Sequence, residues 1–394
     1  MRTAVIVSVA RTPITKYRGE FAGVSIPSLG ALALREVVKK AGLAPSEIDE
    51  VILGNLFGSD WGNPARNCVL QAGWPDSVPA VTIDRQCGSA LSAIGFAASA
   101  IQTGMCDIVV AGGVESYSQR PYYIKQPDRA YAPALDVTTY KSSIPGGPGD
   151  AIPMIQTAEN LAAQYHIGRE ECDAFALSSH QKAAHAVKSG WFDDQVFPVT
   201  LPSKKGSPVT VSVDTCIRFD ASLESMAKLK VVSGRADGVV TAGNSSPQND
   251  GAAVVLMMSA EKAAELSLEP LAVIKEYTAS GCDPTVMGIG PVFSTRKLMA
   301  RFGYRIDDFD LIELNEAFAS QSLACIKELG LPMERVNVEG GAIAIGHPNG
   351  ASGGMLVGRM AYALRRRNLK RGLVTFCVGG GQGVSLVVEN PHTK

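Results

Sequence analysis

The sequence predicts an α/β protein made of two related halves with an irregular region inserted in the first. Three observations lead there. Hydrophobic residues fill 46% of the 394 positions against 19% charged, with 40 glycines; this is the profile of a well-buried soluble α/β chain and not of a disordered one. Short buried-strand runs alternate with helical patterns. The two ends also resemble each other: IDEVILGNLF at 48–57 and FDLIELNEAF at 309–318 each give an acidic turn, a short buried strand and an Asn closely followed by Phe.

The repeat continues. About 30 residues further on, each copy reaches a cluster of small residues, Cys87-Gly-Ser-Ala in one and His347-Pro-Asn-Gly-Ala-Ser in the other. An apolar helical pattern follows, LSAIGFAASAIQTG or MLVGRMAYALRRRN, and then a strand ending in glycines, DIVVAGG at 107–113 or GLVTFCVGGG at 372–381. A duplicated α/β unit paired about a local two-fold axis brings Cys87 and His347 from equivalent positions to one seam.

Along the chain, MRTAVIVSVARTP is too short and too β-branched for a signal peptide or membrane span and reads as the first buried strand. Residues 119–153, rich in Pro, Gly and Tyr, show no clean helix or strand pattern and are expected to build a substrate wall or an interface. Two helices should follow, the first starting near Thr157 and the second ending at Gly190. Residues 239–258 return to buried-strand texture around a polar loop.

With 37 basic and 38 acidic side chains, the chain lacks the basic surface that nucleic acid requires. The one dense basic cluster, Arg365, Arg366, Arg367, Lys370 and Arg371, reads as a solvated helix end. Eight cysteines without close pairs or CxxC spacing fit a reducing cytoplasm. No C-terminal address or lipidation motif is visible.

Two segments carry chemistry. Cys87 precedes small residues and a helical run, so it should sit at a helix N-terminus, where unpaired N–H groups and the helix dipole favour a thiolate. A buried cysteine acting only as a small hydrophobe is the other reading, and the spacing leaves both open. His347 lies among glycines in GGAIAIGHPNGASGG, a costly construction for packing alone. His166, His180, His185 and His392 carry no such signal and are mostly expected at the surface. Cys377 precedes three glycines whose N–H groups could converge on an oxygen. Two cysteines and a histidine suggest acyl transfer through a thioester.

At this point the chain resembles the thiolases, the acetyl-CoA acetyltransferases and 3-ketoacyl-CoA thiolases. The matching motifs run in order from VIVSVARTP through DRQCGSA, GGVESYS, TAENLA, TAGNSSPQNDGAA, GCDPTVMGIGP, NEAFA and GHPNG to CVGGGQG. The resemblance spans essentially the whole chain. It implies a five-layer α-β-α-β-α fold of two duplicated halves, with 1–118 and 247–268 forming the first, 269–394 the second, and 119–246 a loop domain over the coenzyme A channel.

It further implies that Cys87 accepts the acyl group, His347 activates it, and Cys377 handles the α-proton of acetyl-CoA. Asn315, through a water, and His347 would form one oxyanion site; the N–H groups of Cys87 and Gly379 would form the other. Ser246 and Arg218 match positions near pantetheine and adenine, and Met154 and Met287 match pocket-lining methionines. Coenzyme A and acyl-CoA are the implied substrates, with no tightly bound cofactor, no metal and no membrane partner, and a homodimer or homotetramer is the implied assembly.

The sequence departs from the family pattern at Asp84 and Ala90 beside the nucleophile, at Pro153, at Pro247-Gln248 and at Phe219-Asp220. These changes leave the substrate class open, with Tyr122, Tyr123, Tyr131 and Met154 expected beside the acyl chain. A ketoacyl synthase would ordinarily show two histidines where NEAFA and Cys377 stand. A non-catalytic acyl-CoA or lipid-binding relative is the alternative against which Cys87, Asn315, His347 and Cys377 argue.

Overall fold

The computed structural model describes residues 1–393 except 59–61, 125–136, 140–142, 146–150 and 203–206. Nine strands form the main sheet: β1 (Ala4–Arg11), β2 (Glu50–Gly54), β3 (Ala80–Ile83), β4 (Ile108–Ser116), β5 (Asn249–Ser259), β6 (Ala272–Gly281), β7 (Leu311–Leu314), β8 (Arg371–Val378) and β9 (Gln382–Glu389). Their hydrogen-bonded order is β7-β8-β9-β6-β1-β5-β4-β2-β3, and a two-residue strand, Thr15–Lys16, also pairs with β5.

This order contains the duplication read from the sequence. In the first half β1 is antiparallel to β5, β5 antiparallel to β4, and β4, β2 and β3 run parallel. In the second half β6 is antiparallel to β9, β9 antiparallel to β8, and β8 runs parallel to β7. A parallel bridge from Ile312 to Val336 stands where β3 stands in the first half. The halves join edge to edge through three residue pairs, Ala4 with Ile274, Val5 with Val273 and Ile6 with Ala272.

Eight helices complete the layers: α1 (Ile26–Ala41), α2 (Pro64–Gln71), α3 (Ser89–Thr103), α4 (Met154–Gln164), α5 (Arg169–Lys188), α6 (Gly290–Phe302), α7 (Ala319–Leu329) and α8 (Ser352–Arg367). The helices α3 and α8 pack on each other and on strands of both halves. Their apolar faces, Leu91, Ile94, Ala97 and Ile101 with Met355, Leu356, Met360 and Leu364, share one core with both half-sheets. On the outer faces α1 and α2 cover the first half, and α6 and α7 the second. The result is the five-layer arrangement.

Period-two alternation makes this layering possible. Along β5, Ala253, Val255 and Met257 enter the central core while Val254, Leu256 and Met258 face α1. A strand buried on both faces must therefore be apolar at nearly every position. Each Leu, Ile, Val or Met so buried stabilises the fold by about 1.5–3 kcal/mol relative to exposure.

The central layer is thin because glycines let backbones touch. A Cβ on Gly354 would lie 2.3 Å from the Ala253 carbonyl oxygen, and one on Gly353 would lie 2.2 Å from the Leu91 nitrogen. The inserted region is clamped to the core by a buried ion pair: Arg11 on β1 donates to Asp214 at 2.7 and 3.0 Å, and the same carboxylate accepts the Ile14 N–H.

Two expectations need correction and a third holds. The first inserted helix starts at Met154 with Pro153 as its cap residue, and Thr157 lies inside it, bonding the Met154 carbonyl; proline's fixed φ suits the entry to a helix. The second helix ends at Lys188, and Gly190 follows in a left-handed conformation, as expected. His180 is not a surface residue: it is 3% exposed, accepts the Arg218 N–H at 3.2 Å, and is pushed down to about 4 by burial, with the Arg218 charge adding. Short two-stranded ribbons occur at Tyr122–Ile124 with Val137–Thr139 and at Ser143–Pro145 with Ala151–Pro153. The basic cluster ends α8, where Arg365 pairs with Glu269, and Arg366 pairs with Glu339 while stacking on Trp191. No helix among the described residues is long and apolar enough to cross a membrane.

Candidate active site

The loop from β3 into α3 presents Cys87. Asp84 accepts the Gln86 N–H at 2.7 Å, and Gln86 takes a left-handed φ of 46°, unusual for a residue with a side chain. The Ser89 hydroxyl bonds the Gln86 carbonyl and accepts the Arg85 N–H at 2.8 Å. This closed turn projects Cys87 into a cavity immediately ahead of Gly88, the cap residue of α3. The helix-start placement is as read from the sequence, but its electrostatic consequence is not. Burial pushes the Cys87 thiol up to about 12, Glu115 and Asp84 add in the same direction, and the Gly379 and Cys87 N–H groups oppose. The resting group is a thiol, which needs a base.

His347, which lines the same cavity, has a defined tautomer. His347 Nδ1 lies 2.7 Å from the Ser352 hydroxyl, which itself donates to the Pro348 carbonyl at 3.1 Å. Ser352 therefore accepts at Nδ1–H, and Nε2 keeps its lone pair. Nε2 lies 3.4 Å from Asn315 Nδ2. Burial pushes His347 down to about 4, so the imidazole is neutral. The His347 backbone N–H donates to Asn249 Oδ1 at 2.8 Å. Asn249 belongs to β5, so a first-half strand fixes a second-half histidine.

Cys377, next to last on β8, is fully buried beside Met287, Ala317, Met154 and Phe318. Burial, with Cys87 adding, pushes its thiol well up. The turn after it takes positive φ at Gly380 and Gly381, and Gly381 accepts the Cys282 N–H at 2.7 Å. This leaves the Gly379 N–H directed at the Cys87 sulfur. The 241–248 loop is stitched between second-half loops, by bridges from Ser245 to Phe318 and from Gln248 to His347 and by a bond from the Ser246 N–H to the Ala317 carbonyl.

These loops enclose a cavity of about 950 Å³. Cys87, His347, Gly379, Met154, Met287 and Ser246 line it, while Asn315 and Cys377 stand buried behind its wall. Arg218 does not reach it and is exposed, with only its backbone anchored on His180. Tyr122 does not line it either and is 68% exposed. Tyr131 and the Tyr123 side chain lie outside the described residues. Asp84 and the Pro247-Gln248 pair do face the cavity. Ser352 and Asn249 were missed from the sequence. Ser352 stands five residues after His347 at the start of an apolar helix, and no local signal marks its hydroxyl as the partner of the imidazole. Among the described residues no group of three or more His, Cys, Asp or Glu side chains is placed to hold a metal ion.

A family model described as the N-terminal domain of thiolase matches residues 4–261, and one described as the C-terminal domain matches 268–390. The chain belongs to the thiolase family. It is 46% identical over 389 residues to an acetyl-CoA acetyltransferase of Chromobacterium violaceum, covering 98% of this chain and 99% of that one. Among solved structures, this thiolase is similar to the Bacillus anthracis acetyl-CoA acetyltransferase, with a TM-score of 0.94, 44% identity and 99% of each chain covered. It is similar also to human mitochondrial 3-ketoacyl-CoA thiolase, with a TM-score of 0.93, 37% identity and 99% of each chain covered.

Proposed function

We propose that this thiolase transfers acyl groups between coenzyme A thioesters through an acyl-enzyme on Cys87. The observation that carries the proposal is the unprotonated Nε2 of a neutral His347, with Asn315 Nδ2 as its neighbour, in the same cavity as a protonated Cys87. In thiolytic cleavage, His347 takes the Cys87 proton as the sulfur attacks the 3-keto carbon. The bond between C2 and C3 breaks, Cys377 delivers its proton to C2, and acetyl-CoA leaves. Coenzyme A then gives its thiol proton to the Cys377 thiolate and attacks the acyl carbonyl. Cys87 departs and recovers its proton from His347. Condensation is the same sequence reversed.

The high thiol pKa at Cys377 suits this alternation: it holds the proton until a carbanion needs it, and the thiolate it leaves is a strong base. Negative charge on the substrate oxygens would be met by Asn315 and His347 in one step and by the Cys87 and Gly379 N–H groups in the other. Ser246 would lie along the pantetheine chain, Met154 and Met287 would line the pocket, and Arg218, which is not among the residues lining the cavity, would lie near the adenine. Residues 119–246 would cover the coenzyme A channel as a loop domain inserted in the first half, 1–118 with 247–268, the second half being 269–394. Among the described strands β3 ends the sheet, and its Val81, 45% exposed, supports sheet-edge pairing of two copies. A steady-state comparison of acetoacetyl-CoA with longer 3-ketoacyl-CoA thioesters tests the activity and assigns the chain length. No thiolysis of any of them would overturn it.

A further inference from the structure

The histidine loop comes from the second half, yet the backbone that carries it rests on the first. Glu115, next to last on β4, is completely buried. Its Oε2 accepts the Gly350 N–H at 2.9 Å and the Leu56 N–H at 3.0 Å; its Oε1 accepts from the Asn55 side chain at 3.0 Å and the Phe57 N–H at 3.4 Å. Gly350 is three residues after His347. Leu56 and Phe57 line the cavity.

The contact is close enough to set a distance. A Cβ on Gly113 would lie 1.9 Å from the Gly350 carbonyl oxygen, and one on Gly54 would lie 2.5 Å from it. The turn after His347 thus lies flat on two glycine positions of β2 and β4, and Glu115 holds it there. Asn249 grips the other side of the loop at the His347 N–H.

From this juxtaposition we infer that Glu115 is a positioning residue for acyl transfer, fixing His347 relative to Cys87 by binding the Gly350 backbone of one half and the Leu56–Phe57 backbone of the other. The inference rests on the proposed acyl transfer at Cys87. A buried carboxylate is costly, and the compensation here comes from four neutral N–H donors with no cation among them. Glu313, by contrast, is paired with Arg359. Desolvation pushes Glu115 up to about 7, and its backbone donors hold it down. The donors all point inward, so a glutamine here would present an amide N–H to at least one of them.

The test is single-turnover acylation by acetyl-CoA in the full-length protein, compared with thermal unfolding, for Glu115→Gln and Asn55→Ser. Parent acylation is the control: without it the acyl-transfer reading itself fails. For folded Glu115→Gln the expected result is a loss of about tenfold to hundredfold in the acylation rate. KM for acetyl-CoA should stay close to the parent value, and Glu115→Asp should restore part of the rate. If Glu115→Gln does not fold, Asn55→Ser decides, because it removes one donor from the same carboxylate. A lowered acylation rate in its folded fraction supports the role. Parent-like acylation in the folded fraction of Glu115→Gln, or in Asn55→Ser where that variant decides, would overturn it even if the unfolding temperature falls.

Discussion

His347 Nδ1 and the Ser352 hydroxyl lie 2.7 Å apart, and the hydroxyl donates onward to the Pro348 carbonyl. This chain of donors leaves Nε2 as the only basic nitrogen of the ring. Ser352→Ala removes the acceptor that fixes the tautomer. Acylation of Cys87 should slow by about tenfold or more, while stability falls by about 1–3 kcal/mol, the cost of leaving the buried Nδ1–H without its acceptor. Single-turnover acylation alongside denaturant unfolding checks both, and an unchanged rate would remove the tautomer from the mechanism.

His347 and Cys377 should separate by step. On the proposed mechanism His347→Ala removes the base for Cys87 and one oxyanion contact, so acylation and condensation should both slow. Cys377→Ala should retain acylation but lose deuterium exchange at C2 of acetyl-CoA, because that proton transfer is its own. Single-turnover acylation and exchange, measured on both variants, separate the roles; equal and complete loss of acylation in both would count against the division.

Acylation should persist in acid. A histidine of ordinary pKa loses half its basic form near 6.5, whereas burial pushes His347 down to about 4. The neutral base is therefore present above both values and is lost only as pH falls through the lower one. A single-turnover profile between roughly pH 4 and 8 should step down near 7 as Glu115 takes up its proton, keep measurable acylation below 6.5, and fall away only as His347 is protonated near 4. Complete loss by pH 6.5 would contradict a buried neutral imidazole.

The seam between the halves should tolerate no added carbon. Gly113→Ala places a methyl 1.9 Å from the Gly350 carbonyl oxygen, where the obstacle is backbone, and should cost more than about 2 kcal/mol with loss of acylation. Gly23→Ala meets nothing within 4 Å and should stay within about 0.5 kcal/mol of the parent. Chemical denaturation of the two variants compares them directly, and equal stability would contradict the packed seam.

Much of this was readable before the structure. The repeat of strand, small-residue cluster, helix and strand gave the two halves, since local periodicity reports which face each element buries. The run of small residues after Cys87 placed it at a helix start. What escaped was tertiary. Whether Cys87 rests as thiol or thiolate depends on desolvation by walls from both halves, and that outweighs the helix start seen in the sequence. Ser352, Asn249 and Glu115 act through side-chain contacts with a loop of the other half or a neighbouring turn, and no spacing rule encodes those. His180 looked like any helical histidine because its burial comes from the distant Arg218 segment. Arg218 matched a motif but stands outside the cavity, since the resemblance carries position along the chain and not exposure.

The central claim is that Cys87 carries the acyl group, and intact-protein mass measurement after incubation with acetyl-CoA tests it most directly. The expected result is a single acetyl adduct that maps to Cys87, disappears on adding coenzyme A, and is absent in Cys87→Ala together with turnover. A Cys87→Ala protein of normal activity, or an adduct found only on Cys377, would contradict the account.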